Sequence, residues 1–370
     1  MDHLRRRTLL PHALAALYGF AIAYASLQPF MPWIAPAANT PFWTFAPWPP
    51  RWTRFDVVAN FLAYAPFGLF VALIPRRAAP SLRAATGFFA GAALSFCLET
   101  LQMYLPTRDA SVIDLLSNSC GALAGGLAGA SLVRAQRLRA ALSTGRARIF
   151  LSGRLGDVGI ALLALWLTAQ INPGIPVFAV NFESPPSSTG ALLPSGVDTA
   201  GSLLEAAQSA LQMTGIGLFL ALLLRERRYV GGAVMLLIGT ALVIKGFAAT
   251  MILKPAAWEA WLKPGVSIGI AAGALGLLLA AFLPRPAQVA ACAVALLSSM
   301  LLPLLASEIS STHAPLTLFN WRYGHLLNFN GLTRTVLLVW PIAAAMWLGA
   351  LAGQPAWGQP EASQARPDRL

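Results

Sequence analysis

Residues 111–133 read SVIDLLSNSCGALAGGLAGASLV. From Val112 onward the run holds a single charge in 22 residues. As a helix rising about 1.5 Å per residue, it covers the roughly 30 Å of a bilayer's hydrocarbon. Two patterns lie on it. Asp114 and Asn118 are four apart and share a helix face. Gly121, Gly125 and Gly129 keep the same spacing, so a strip of bare backbone faces another helix, either of this chain or of a second copy. The strip permits oligomerisation as readily as internal packing. A membrane helix that keeps a carboxylate and an amide on one face is the pattern against which the rest of the sequence is read.

The composition agrees with a lipid setting. Of 370 residues, 57% are hydrophobic and 11% are charged, whereas soluble proteins carry about 25% charged residues. A charge at mid-bilayer costs several kcal/mol, which explains the shortage. Ten windows are long and apolar enough to cross: roughly 9–30, 56–75, 86–105, 112–133, 155–171, 207–224, 229–252, 265–283, 287–306 and 332–352. The expected fold is an all-α, polytopic transmembrane bundle of about ten helices. The basic start, Met1 to Arg7, leads into a run long enough to be a retained first helix rather than a cleaved signal.

The net charge of +12 comes from 26 Lys and Arg against 14 Asp and Glu. In a soluble chain that excess would point to nucleic acid; between apolar runs it orients helices instead, and no nucleic-acid partner is expected. With the N-terminus inside, 18 basic residues fall in inside segments and 7 in outside ones, and Lys245 lies within a span, where snorkelling to the interface accounts for it. This split places both termini in the cytoplasm. The long 31–55 stretch, rich in Pro and carrying Trp33, Trp43, Trp48 and Trp52, suits the outer headgroup zone. The organisation expected is a four-helix module over 1–133, a basic cytoplasmic linker over 134–154, a six-helix module over 155–352 and a disordered tail over 353–370.

Polar residues gather in the first module. FDVVANFLAYAPFG (55–68) puts Asp56, Asn60 and Tyr64 four apart on one face. CLETLQMYLPTRD (97–109) puts Glu99 and Gln102 on one face, with Arg108 in the turn that follows. If the second span enters from outside, the third exits there and the fourth starts there. Asp56, Asn60, Glu99, Gln102, Arg108, Asp114 and Asn118 then lie in the outer half of the membrane. Buried ionisable groups need partners, and Arg108 is the nearest cation for a bidentate pair with Glu99 or Asp114. Glu99 and Asp114 are the candidate catalytic acid–base groups, and Asp56, Asn60, Tyr64, Gln102, Arg108 and Asn118 the candidate ligand-binding ones. The competing reading is that these residues only join helices by hydrogen bonds.

Cys97, Cys120 and Cys292 sit in apolar runs without a CxxC spacing, and the four histidines form no HExxH pattern, so neither a metal nor another cofactor is expected. No phosphate-binding loop appears, which speaks against ATP-driven chemistry within the chain.

Over about 56–130 the chain resembles the VanZ-like membrane protein family. The resemblance rests on Asn60, Tyr64, Pro66 and Gly68, then Glu99 and Gln102, then Arg108, then Asp114, Asn118 and Gly121, in that order. It implies an integral, multi-pass protein of the bacterial cell envelope, in the inner membrane. The family's name-giving member is linked to low-level resistance to the glycopeptide teicoplanin. The expected function is binding or modification of an amphiphilic envelope lipid, lipid-linked precursor or lipoglycopeptide at the polar cluster. The alternatives are a transporter or flippase of such a molecule, or a non-catalytic membrane scaffold.

Overall fold

The computed structural model describes residues 9–28, 30–45, 54–75, 78–175, 177–178, 199–255, 261–262, 264–305 and 325–354. Eleven helices account for most of them: α1 (Leu10–Leu27), α2 (Arg54–Ala72), α3 (Pro80–Gln102), α4 (Val112–Arg134), α5 (Gln136–Ile149), α6 (Gly153–Ala169), α7 (Thr199–Leu223), α8 (Val230–Ile252), α9 (Pro264–Ala280), α10 (Arg285–Leu305) and α11 (His325–Ala352). No β-sheet forms among the described residues; Phe150 and Leu224 make one isolated bridge. Each of the ten expected windows contains a helix. Seven are long and apolar enough to cross a membrane, and α2 and α9 contain shorter apolar stretches. The all-α membrane bundle is therefore the observed fold. One helix was not expected: α5 fills most of the supposed linker 134–154. The expected tail over 353–370 lies almost wholly outside the described residues.

Two compact units divide the chain. The first comprises the described residues within Met1–Arg148, Ser152–Asp157 and Tyr323–Leu332; the second comprises those within Ile149–Leu151, Val158–Arg322 and Thr333–Leu370.

The first unit is built on contact between α2 and α4. Residues 61, 65 and 69 of α2 meet 121, 125 and 129 of α4 in ascending order, so the two helices run parallel. A side chain at Gly121 would overlap the Phe61 carbonyl, and one at Gly125 the Ala65 carbonyl. In lipid, where hydrophobic burial does not drive helix association, such close backbone approach supplies the packing contacts instead. The glycine strip is thus occupied within the chain. α3 packs antiparallel across both helices: Gly87 lies by Gly68 and Gly126, and Gly91 by Tyr64 and Ala122. α1 leans on this trio through Ile22, with Tyr18 edge-on to Phe70. Trp43, expected in the headgroup zone, is instead buried, its indole N–H donating to Thr100 Oγ1 at 3.2 Å and its ring against Phe96. Trp33 is half exposed; Trp48 and Trp52 lie outside the described residues.

The second unit repeats the device with different residues. Gly265, Gly269 and Gly273 of α9 face the carbonyls of Ser202, Ala206 and Ala210 of α7, again in parallel order. Trp340 donates to the Leu162 carbonyl at 2.6 Å, and Phe219 packs between Trp340 and Trp347.

Replacing Gly125 by Val should lower stability by about 1–3 kcal/mol, because the α2 backbone blocks the added carbons. Gly246 on α8 has open space around it, so Gly246→Ala should leave the thermal midpoint in detergent unchanged or slightly raised.

Candidate functional site

The parallel α2–α4 contact decides where the polar residues go. Both helices begin at the same end of the first unit, where α3 and α1 finish. Asp56 and Asp114 fall in the first turns of α2 and α4. A carboxylate there is favoured by the positive end of the helix dipole. Asn60 Nδ2 donates to Asp114 Oδ1 at 2.8 Å, which ties the two helix starts together.

Glu99 comes up from α3, nearly fully buried, to the N-terminus of α4. Its Oε2 accepts from the Ser111 amide at 2.9 Å. Ser111 is the residue before α4, and its own hydroxyl accepts from the Ile113 amide at 3.1 Å. The orphan amides of this helix start are therefore shared between a serine and a carboxylate of the neighbouring helix. One turn deeper, Asn118 Nδ2 donates to Ser95 Oγ at 3.0 Å, and the Tyr64 hydroxyl bonds the same serine. Tyr64, Ser95 and Asn118 are all buried.

Arg108 does not form the expected bidentate pair. Its Nε donates to the Gln28 carbonyl at 3.2 Å and its Nη2 to the Ala25 carbonyl at 2.8 Å. Gln102 Nε2 reaches the Ser26 carbonyl at 3.0 Å. The last carbonyls of a helix lack partners in the helix itself, and no water in hydrocarbon can supply them. That need outbids a carboxylate for the guanidinium. Glu99 and Asp114 still act on Arg108 through space. Burial draws the Arg108 pKa down from its ordinary value and the two carboxylates push it back up; an arginine keeps its charge in either case.

The same economy governs the other buried cations. Arg83 caps the end of α2, its Nη1 donating to the Ala72 carbonyl at 3.0 Å. Lys245 does not snorkel. It is 1% exposed and donates to the carbonyls of Asn172 and Ile175 at 2.8 and 2.7 Å, in the turn after α6.

Seven of the eight candidate site residues lie at one end of the first unit; Tyr64 sits deeper, at the middle of α2 and beside Gly91 of α3. The sequence reading missed Ser95, Ser111 and the α1 carbonyls. Serines are too common in membrane helices to stand out, and a carbonyl has no sequence signature. It also missed a buried stripe on α7, where Gln208, Ser209 and Gln212 follow one face. The spacing i, i+1, i+4 was visible in the sequence. The stretch around His325, Asn328 and Asn330 lies outside the described side chains. Among the described residues no cluster of three His, Cys, Asp or Glu could hold a metal ion.

What sets the cluster apart is its remaining hydrogen-bonding capacity. Its donors on Asn60, Gln102 and Asn118 are engaged with protein acceptors. Asn118 Oδ1 is buried and, among the described residues, finds no hydrogen-bond partner. Among the described residues, Glu99 and Asp114 each accept from another residue through one oxygen only. The unspent capacity of the site is therefore that of an acceptor.

Residues 11–133, about one third of the chain, match the VanZ/LLP1 family model. No curated protein and no solved structure matches the chain. The matched segment runs from α1 through α4, the helices that build the cluster. It extends the resemblance read from 56–130 to include α1, which supplies the carbonyls held by Gln102 and Arg108.

Arg108→Ala should fray the last turn of α1, seen as roughly tenfold faster hydrogen exchange at the Gln28 amide, which bonds the Tyr24 carbonyl. Asn60→Ala should leave that amide unchanged.

Proposed function

We propose that the VanZ/LLP1 segment binds the polar head of an amphiphilic molecule of the bacterial cell envelope, with the cluster in the outer half of the inner membrane and both termini in the cytoplasm. The membrane setting rests on the apolar helices and the family match. The orientation rests on the 18-to-7 split of basic residues. The observation that carries the proposal is Asn118 Oδ1, buried and without a partner among the described residues, one helix turn from Asp114 on α4. A buried polar atom without a partner costs about 1–3 kcal/mol, and a ligand that donates a hydrogen bond there removes that cost.

The inventory also defines the ligand's chemistry. Glu99 and Asp114 face one guanidinium, that of Arg108, which is already engaged, and the Asp56 carboxylate acts on Asp114. A head that donates, through hydroxyl or ammonium groups, fits this set; a bare anion does not. Lipid-linked precursors, lipoglycopeptides and amine-headed phospholipids all qualify. If a bond is made or broken, Glu99 and Asp114 are the groups able to move a proton.

A second reading has its own support. Glu99, Gln102 and Arg108 each satisfy a helix terminus, which is what a scaffold without a ligand would also need. The two readings differ on the acceptors. In the binding reading, purified protein in mixed vesicles retains phosphatidylethanolamine, whose ammonium donates, over phosphatidylcholine, whose trimethylammonium cannot. Native mass spectrometry reads the ratio. Glu99→Gln and Asn118→Leu should each reduce that preference about tenfold while the helical circular dichroism holds. Equal retention of both lipids by the unaltered protein would favour the scaffold.

A further inference from the structure

We propose that α5 is an interfacial helix that lies in the headgroup layer and recruits anionic phospholipid at the end of the first unit opposite the polar cluster. Three observations carry this.

The first is position. Only Ala135 separates α4 from α5, and α6 begins four residues after α5 ends. Both α4 and the residues beyond α5 belong to a membrane-spanning chain, so α5 has too little slack to leave the surface. Ala135 itself turns the path, with ψ 72°, so α5 does not simply continue α4.

The second is the anchor. Asp157, 1% exposed, pairs with Arg146 of α5 and accepts from the Leu9 amide through Oδ2 at 2.7 Å. One carboxylate thus gathers the start of α1, the start of α6 and α5. Arg83 at the end of α2 marks the same end of the unit. The polar cluster occupies the other end of these helices.

The third is the pattern of side chains. At about 100° per residue, Leu138, Leu142, Gly145 and Ile149 fall on one side of α5. Leu138 and Leu142 are 52% and 56% exposed. Arg137 and Arg148 flank that side and are exposed, and Ala140, Ser143 and Ala147 face away from it. Residues 134–154 hold six arginines and no acidic residue. Leucines dipping toward acyl chains, with guanidinium groups reaching sideways to phosphates, is the arrangement of a helix seated in a membrane surface. Among the faces a bilayer offers, an anionic headgroup layer complements this charge.

The test uses the full chain with Cys97, Cys120 and Cys292 replaced by Ser, reconstituted in phosphatidylcholine vesicles containing phosphatidylglycerol. A bimane fluorophore is attached at Leu142→Cys or, separately, at Ala140→Cys on the far side. Brominated phosphatidylglycerol and brominated phosphatidylcholine are compared as quenchers. Position 142 should be quenched and position 140 should not. Phosphatidylglycerol should quench 142 several times more effectively than phosphatidylcholine. Arg137→Gln and Arg148→Gln should each lower that preference roughly fivefold. Both arginines are exposed, and thermal melts of the variants should match the parent. Equal quenching of 142 by the two lipids would overturn the proposal, because contact would then occur without headgroup recognition. Quenching of 140 as strong as that of 142, or none at 142, would overturn it too.

Discussion

The first unit depends on the direct backbone contact between α2 and α4. Two helices that begin at the same end of a bundle can be joined only by a third that returns between them, which is the job of α3. Once Gly121 and Gly125 let α4 lie against the carbonyls of Phe61 and Ala65, the register above them follows. Asn60 meets Asp114, Tyr64 and Asn118 meet at Ser95, and Glu99 arrives at the start of α4. Bulkier residues at the glycines would separate these helices by more than a hydrogen bond can bridge. The polar cluster is thus a consequence of small residues one to three turns away.

Helix ends impose the second constraint. In hydrocarbon, each terminal carbonyl needs a donor from the protein. Arg83 and Arg108 serve this need at the ends of α2 and α1, and Lys245 serves the carbonyls of the turn after α6 in the same way. This changes the meaning of a buried cation. A lysine or arginine inside such a chain need not mark a substrate path or neutralise a carboxylate. Conversely, carboxylates left without such a cation, as Glu99 and Asp114 are, remain free to interact with something else.

The sequence was most legible where physics demands long apolar runs, and all ten windows hold helices. Spacing of four residues placed Asp56, Asn60, Asp114 and Asn118 correctly relative to one another, because helical periodicity is local. What could not be read was partner choice. The Arg108 pair with Glu99 or Asp114 followed from charge and proximity in sequence, yet the guanidinium serves α1, eighty residues away in the chain. Lys245 was placed at the interface on the general behaviour of lysine, while its true partners are carbonyls in a distant turn. The linker 134–154 was read for its charge alone. Its leucines did not enter that reading, and the helix that carries them was missed. The parallel α7–α9 contact had a visible signature in Gly265, Gly269 and Gly273 that was passed over within a uniformly apolar run.

The division of labour between the two ends of the first unit gives the chain a polarity that the fold alone does not require. Unspent acceptors collect at one end, and arginines gathered around the buried Asp157 at the other. Density around Asn118 in a lipid nanodisc, by electron cryomicroscopy, tests the central claim most directly. The account predicts a non-protein head group within hydrogen-bond distance of Asn118 Oδ1, near Glu99. A carboxamide oxygen satisfied by a protein donor, with side chains filling the space between Glu99 and Asp114, would contradict it.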